Sequence, residues 1–232
     1  MKKTLAVLAI GAALTGCGGG GGDDASNSTQ SSTYTKDGIY LNDTDLVVML
    51  VDTDLADTAM LVGDYVDNSL YFNDTHTVND NTMTTKGLAY VSSSAYAYDA
   101  DLETTVTFTS TGATISGVVD NTNLVYSFER TGDSAQIADI TGTHTNPDDG
   151  STWIINSDST FTINGICTIN GTLNRVKGYY AAENVVASGC SDSNLNGSDY
   201  KARVITVEQS GTTYILGAMA NDTGILWGST PI

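Results

Sequence analysis

Residues 102 to 109 read Leu102-Glu103-Thr104-Thr105-Val106-Thr107-Phe108-Thr109. Leu102, Val106 and Phe108 fall on one side, and Glu103 with three threonines takes the other. Successive side chains of a strand point to opposite faces, so this is the pattern of a half-buried strand. Leu124, Tyr126 and Phe128 repeat it, as do Phe161 with Ile163 and Tyr214 with Leu216. No window of similar length carries apolar residues at i, i+3, i+4 and i+7, and the abundance of Thr, Val, Ile and Tyr favours strand over helix.

Turn residues divide these runs at short intervals: Asp67-Asn68, Thr111-Gly112, Asp120 to Asn123, Asp158-Ser159, Asn164-Gly165, Asn170-Gly171, Asn196-Gly197 and Ser210-Gly211. Asn-Gly suits a tight hairpin because both central residues need positive φ. About fifteen short strands joined in this way exceed the roughly ten that one open sheet usually holds. A meander of this length must also hide its edges. The expected fold is therefore all-β, an antiparallel meander forming two small β-barrel or sandwich units in tandem, with little helix. The least strand-like interior stretch, residues 131–141, sets the boundary. An N-terminal β-unit is expected over 37–133 and a C-terminal β-barrel over 139–232, with one continuous sandwich as the competing arrangement.

The front of the chain is an address. Lys2 and Lys3 precede an apolar stretch from Leu5 to Leu14, the charged and apolar regions of an export signal, too short to span a bilayer. Its end, Leu14-Thr15-Gly16-Cys17, resembles the lipobox of bacterial lipoproteins. That resemblance implies a signal peptide over 1–16, diacylglyceryl transfer to the Cys17 sulfur, and acylation of the new amino terminus. Three acyl chains exceed the two signals that stable anchoring needs. Gly18 stands where many enteric lipoproteins carry the aspartate of inner-membrane retention, so the resemblance implies the outer membrane, on its periplasmic face or at the cell surface. Residues 17–36, with five glycines from Gly18 to Gly22 and then polar residues, read as a lipidated Gly/Ser-rich tether of roughly 25 Å root-mean-square span.

With 27 acids against 9 bases the formal charge is −18, so no basic patch exists to release phosphate counterions, and nucleic acid is excluded as a partner. Only 2 prolines and 40% hydrophobic residues describe a chain that buries a core. Of three cysteines, Cys17 is committed to lipid. That leaves Cys167 and Cys190 in an oxidising compartment, where a disulfide is expected. A redox pair or thiolate metal site is disfavoured, because there is no Cys-x-x-Cys spacing and no adjacent base to lower a thiol pKa.

The second half carries a further resemblance. Gly142-Thr143-His144-Thr145, Trp153-Ile154-Ile155, Cys167-Thr168-Ile169-Asn170-Gly171-Thr172, Gly189-Cys190 and Tyr200 resemble a group of small proteobacterial outer-membrane lipoproteins of unknown function. The resemblance implies a Cys-containing C-terminal β-barrel behind a more divergent N-terminal β-unit. Here Ile166 replaces the glycine usual before the first barrel cysteine, and His144 replaces an aromatic.

Catalytic motifs are not found. His76 and His144 fall in different expected units, neither in a His-Glu-x-x-His nor a Gly-x-Ser-x-Gly context. The carboxylate pairs Asp52 with Asp54 and Asp99 with Asp101 fall in turns, where Asp bonds its own backbone. The expectation is no enzymatic activity; a weak hydrolase would need a histidine, an acid and a serine to converge. One loop carries cation chemistry. Asp192, Asn194, Asn196 and Asp199 reproduce the first half of an Asp-x-Asn-x-Asn-Gly calcium loop, but Arg203 stands where the bidentate Glu belongs. A millimolar Ca²⁺ site is the one cofactor this pattern admits, and Asp52, Asp54 and Asp57 form a lesser version; the alternative is a plain turn. Tyr96 and Tyr98 share a strand face, for which core or rim packing is expected, as for Tyr71, Phe72, Tyr90, Trp153, Tyr179, Tyr180, Tyr214 and Trp227.

The function expected is a membrane-anchored, non-enzymatic binding or structural module of the envelope. The barrel lumen would carry a small hydrophobic ligand if unfilled, as in lipocalins. Exposed aromatic loop tips would instead mark a surface adhesion module that contacts a partner through its loops.

Overall fold

Thr104, Val106 and Phe108 are buried and Glu103 and Thr107 exposed, the expected alternation, at the end of a 13-residue strand. This strand is β6 (Tyr96–Phe108) of a computed structural model that describes residues 36–119 and 121–232; the leader and Cys17 lie outside the described residues. Eight strands close a barrel in chain order: β1 (Gly38–Asn42), β2 (Val47–Val51), β3 (Met60–Asp64), β4 (Ser69–Asn79), β5 (Thr82–Ser92), β6, β7 (Gly112–Val119) and β8 (Thr122–Arg130). Every neighbour is antiparallel, and β8 returns to β1 through Tyr40↔Arg130 and Leu41↔Glu129. Arg130 pins that closure, donating to Tyr40 Oη at 2.8 Å and to Asp37 O at 2.6 Å.

A single turn of helix, α1 (Ile137–Ile140), leads into a second sheet: β9 (Gly142–Thr145), β10 (Thr152–Ile155), β11 (Thr160–Asn164), β12 (Thr168–Thr172), β13 (Asn174–Val176), β14 (Tyr179–Ser188), β15 (Gly197–Gln209), β16 (Thr212–Ala220) and β17 (Ile225–Pro231). Its order runs from β17 back to β9, with β13 paired to β14 beside the main path. The sheet is nearly closed: Asn146 Nδ2, just past β9, donates to Ser229 O on β17 at 3.0 Å. The protein is thus two barrel-like antiparallel sheets in tandem. Among the described residues no helix is long and apolar enough to cross a membrane.

Both lumens are packed with apolar side chains, and a cavity of ≈ 130 Å³ remains in the second against Trp153, Ile163, Ile169, Met219 and Leu226. Tyr40, Met49, Met60, Met83 and Phe108, each under 2% exposed, occupy the first, and Trp153, Phe161, Tyr180, Tyr200 and Ile215 the second. Full burial of each such side chain contributes about 1.5–3 kcal/mol, so the packed lumens hold the barrels shut. The hydroxyls that enter with the tyrosines are satisfied: Tyr180 donates to Ala135 O at 2.7 Å and Tyr200 to Leu195 O at 2.9 Å.

A third apolar cluster joins the barrels. Every residue of Val47–Val51 is buried, because Met49 and its like-facing neighbours point into the lumen while Val48 and Leu50 point outward onto the second barrel. Ile39 and Leu41 join them against Tyr179, Ile205, Val207 and Leu216. The connecting stretch is packed as well: Ser134 N donates to Gly178 O at 2.8 Å, and Ser134 Oγ accepts from Thr206 N at 3.1 Å.

The structure departs from the sequence expectations at several places, and Asp99 with Asp101, expected in a turn, lie inside β6. The described residues form seventeen strands, the extra ones being short. Asn170-Gly171 lies inside β12 instead of turning, because a Cβ on Gly171 would come within 2.6 Å of the Phe161 ring; the glycine makes room for that ring. Leu124, on the same strand face as Tyr126 and Phe128, is exposed because its end of β8 runs past the lumen.

Candidate functional site

The first barrel is not closed along its whole height. β6 pairs with β7 only from Phe108↔Ala113 to Thr104↔Gly117, although the β7–β8 hairpin continues to Val119↔Thr122. Between Tyr96 and Glu103, β6 therefore carries no ladder on its β7 side. The separation begins at a bulge, where the β5 pairing jumps from Lys86↔Glu103 to Leu88↔Asp99. Gly87 holds the bend with φ +74°, and a Cβ there would lie 2.8 Å from Asp74 Oδ2. Asp99 caps the displaced residues, accepting from Asp101 N at 2.9 Å and Leu102 N at 3.1 Å.

The two strands thereby bound an open groove of ≈ 750 Å³. Asp99, Asp101 and Glu103 form one wall, and Val118, Leu124 and Val125 the other. Val125 is 65% exposed. Tyr96, at the tip of the β5–β6 hairpin, is 64% exposed, and Tyr98 is also exposed, its hydroxyl donating to Asp74. This corrects the expectation of core or rim packing for these two rings: β6 is longer than the lumen, so its first half has no core to enter. Among the described residues, the one cation that forms an ion pair with the groove's acids is Lys86, 3.4 Å from Asp101 and 4.0 Å from Glu103. The site thus combines a free strand edge, exposed apolar side chains and negative charge.

The other residues singled out from sequence fall elsewhere. Cys167 and Cys190 stand at disulfide distance, 2.02 Å between sulfurs. In the loop proposed for calcium, Asp192 Oδ1 accepts from Asn194 N at 3.0 Å, Asn196 Oδ1 from Cys190 N at 3.0 Å, and Asp199 Oδ2 from Ser198 Oγ at 3.2 Å. These oxygens serve the single 3₁₀ turn Ser193–Leu195 and the start of β15. His76 Nε2 lies 3.2 Å from Thr53 O and His144 Nε2 2.9 Å from Ile140 O, so each imidazole is engaged with a main-chain carbonyl. Trp153, Tyr179 and Tyr180 are buried; Tyr71 and Tyr90 are half-buried, their rings in tilted contact with centroids 5.0 Å apart.

Asp52 is the residue whose placement the sequence conceals most. It does accept from Asp54 N at 3.1 Å, the local bond expected of a turn Asp, but it is also 97% buried and faces the second barrel. Lys177 Nζ lies 2.5 Å from Asp52 Oδ1, 2.5 Å from Asp37 Oδ2 and 2.8 Å from Asp54 Oδ2, and Tyr179 Oη donates to Asp52 Oδ2 at 2.7 Å. The three carboxylates lie within 4.8 Å of one another, a spacing suited to a cation, and the cation among them is the ammonium. Burial alone would raise the Asp52 pKa, but hydrogen bonds from Lys177 and Tyr179 hold it below the usual carboxylate value; Asp37 is held down likewise by Lys177 and Thr53. Burial alone would lower Lys177, and its three carboxylate partners reverse this and raise it. Burial and then the Asp52 charge push Tyr179 up to about 12. This cluster is an electrostatic clamp between barrels. Sequence reasoning missed Lys177, which stands in a hairpin turn with φ +51° and no local pattern to mark it.

Compared with known proteins, the chain matches no family model, no curated protein and no solved structure.

Proposed function

We propose that this protein is a lipid-anchored module of the bacterial outer membrane that binds a partner protein at the open end of its first barrel and performs no chemistry. The anchor rests on the export signal and on Leu14-Thr15-Gly16-Cys17. The binding reading rests on one observation, the exposure of Tyr96, Tyr98, Val118, Leu124 and Val125 around an unpaired stretch of β6. An unpaired edge offers main-chain hydrogen bonds to an incoming strand, and the apolar wall offers pockets for its side chains. The acidic wall favours a partner segment that carries basic residues. The packed first lumen, and the second with a cavity of only ≈ 130 Å³, weigh against carriage in the lipocalin manner.

Site-specific photocrosslinking in living cells tests the reading. A photoreactive residue at position 98 or 124 is expected to give one discrete adduct, and the same residue at Ser157, exposed on the second barrel, none. No adduct at 98 or 124, or the same adduct from 157, would overturn it.

A further inference from the structure

A second concave surface lies away from the groove, between the outer faces of the two barrels. It is a cleft of ≈ 190 Å³ whose walls include Leu61, Phe72, Ala218 and Ile225. Two cations, Lys201 and Arg203, line it from β15. They stand two residues apart on one strand face, so their Cα atoms are about 7 Å apart and both side chains serve the same wall.

The placement of those charges is what calls for a ligand. The chain has 27 acids and 9 bases, so an available carboxylate partner is the ordinary condition for a base. Lys86, Arg175 and Lys177 each have one or more. Lys201 enters no ion pair among the described residues, and Arg203 donates to Ala202 O at 3.0 Å and lies 4.0 Å from Glu183 as its one carboxylate partner among the described residues. The acids of the cleft do not take their place. Asp52 is already held by Lys177 and Tyr179, and Asp57 is exposed at the rim. An apolar cleft with two cations on one wall complements a molecule that has an aliphatic stem and one anionic head.

We infer that the cleft between the barrels binds a medium-chain fatty carboxylate, its chain against Leu61, Phe72 and Ile225 and its carboxylate between Lys201 and Arg203. The site is separate from the β6 groove, so one can fail without the other.

The test is calorimetric titration of the full chain carrying Cys17→Ser with octanoate and with octanol. Octanoate is expected to bind at one site at least tenfold more tightly than octanol. Lys201→Ala, at an exposed position, should weaken octanoate about tenfold and leave octanol unchanged. Ala220→Trp, which fills the cleft from an exposed position, should abolish both while the circular dichroism spectrum stays that of the parent. Equal binding of octanoate and octanol, untouched by Lys201→Ala, would overturn the anionic-head assignment. Binding that survives Ala220→Trp, or no binding of either compound, would overturn the site itself.

Discussion

Replacing Cys167 and Cys190 together by alanine is expected to lower the unfolding free energy by about 3 kcal/mol, the chain-entropy value for a loop of this length. The two sulfurs bridge 23 residues of sequence. They lie at the end of a short ladder, in which β12 meets β14 through Thr168↔Ser188, Ile169↔Ala187 and Asn170↔Val186. Three pairs are few to fix that seam, so the covalent link carries much of its order. Urea unfolding with and without a thiol reductant measures the effect. The parent should lose the same free energy on reduction that the double variant loses at once, and the variant should be indifferent to reductant.

The second large effect is at the clamp. Lys177→Met keeps the aliphatic stem and removes the charge, leaving Asp52 buried with Tyr179 as its main side-chain donor and with Asp37 and Asp54 nearby. Breaking a buried ion pair from one side costs about 3–5 kcal/mol. Lys177 is about one-third exposed and Asp54 mostly so, which brings the expectation to about 2–3 kcal/mol. Adding Asp52→Asn to Lys177→Met should restore part of the loss, because the uncompensated charge goes with it; a double-mutant cycle by urea unfolding reads that coupling.

The same cluster gives the stability a pH profile. The folded pKa values of Asp37 and Asp52 lie below their unfolded values of about 3.9, so their contribution is present above that value and is lost as pH falls through the folded one. Lys177 is raised, so its contribution is complete below its unfolded value of about 10.4 and is lost as pH rises through the folded value. Tyr179, pushed up to about 12, adds a loss that begins near pH 10. The parent should therefore show a plateau between about pH 5 and 9 with falling limbs on both sides, and Lys177→Met should flatten both limbs.

The strands were legible in the sequence because half-burial writes itself as alternation, as in Leu102 to Thr109. The position of the barrel wall along each strand was not. Tyr96 and Tyr98 obey the same alternation as Val106 and Phe108, yet the lumen spans only the second half of β6, and periodicity does not report where a core ends. The interface between barrels did leave a trace: Leu46 to Val51 is apolar without alternation, which is how a strand buried on both faces reads. The clamp left none, since Lys177 meets Asp37 and Asp52 across 140 and 125 residues and charge alone does not pair distant positions. Glycine carried two meanings. Ser210-Gly211 turns with both φ values positive, at 51° and 82°, whereas Gly171 serves a close approach to Phe161 inside a strand.

Hydrogen exchange along β6 tests the central claim most directly, because the proposed binding surface exists only if the strand is unpaired in solution on its β7 side. In the isolated protein the amides of Asp99 to Glu103 should exchange far faster than those of Thr104 to Thr107, which lie in ladders on both sides. Equal protection of the two segments would mean that the barrel closes over the groove, and the partner-binding account would be wrong.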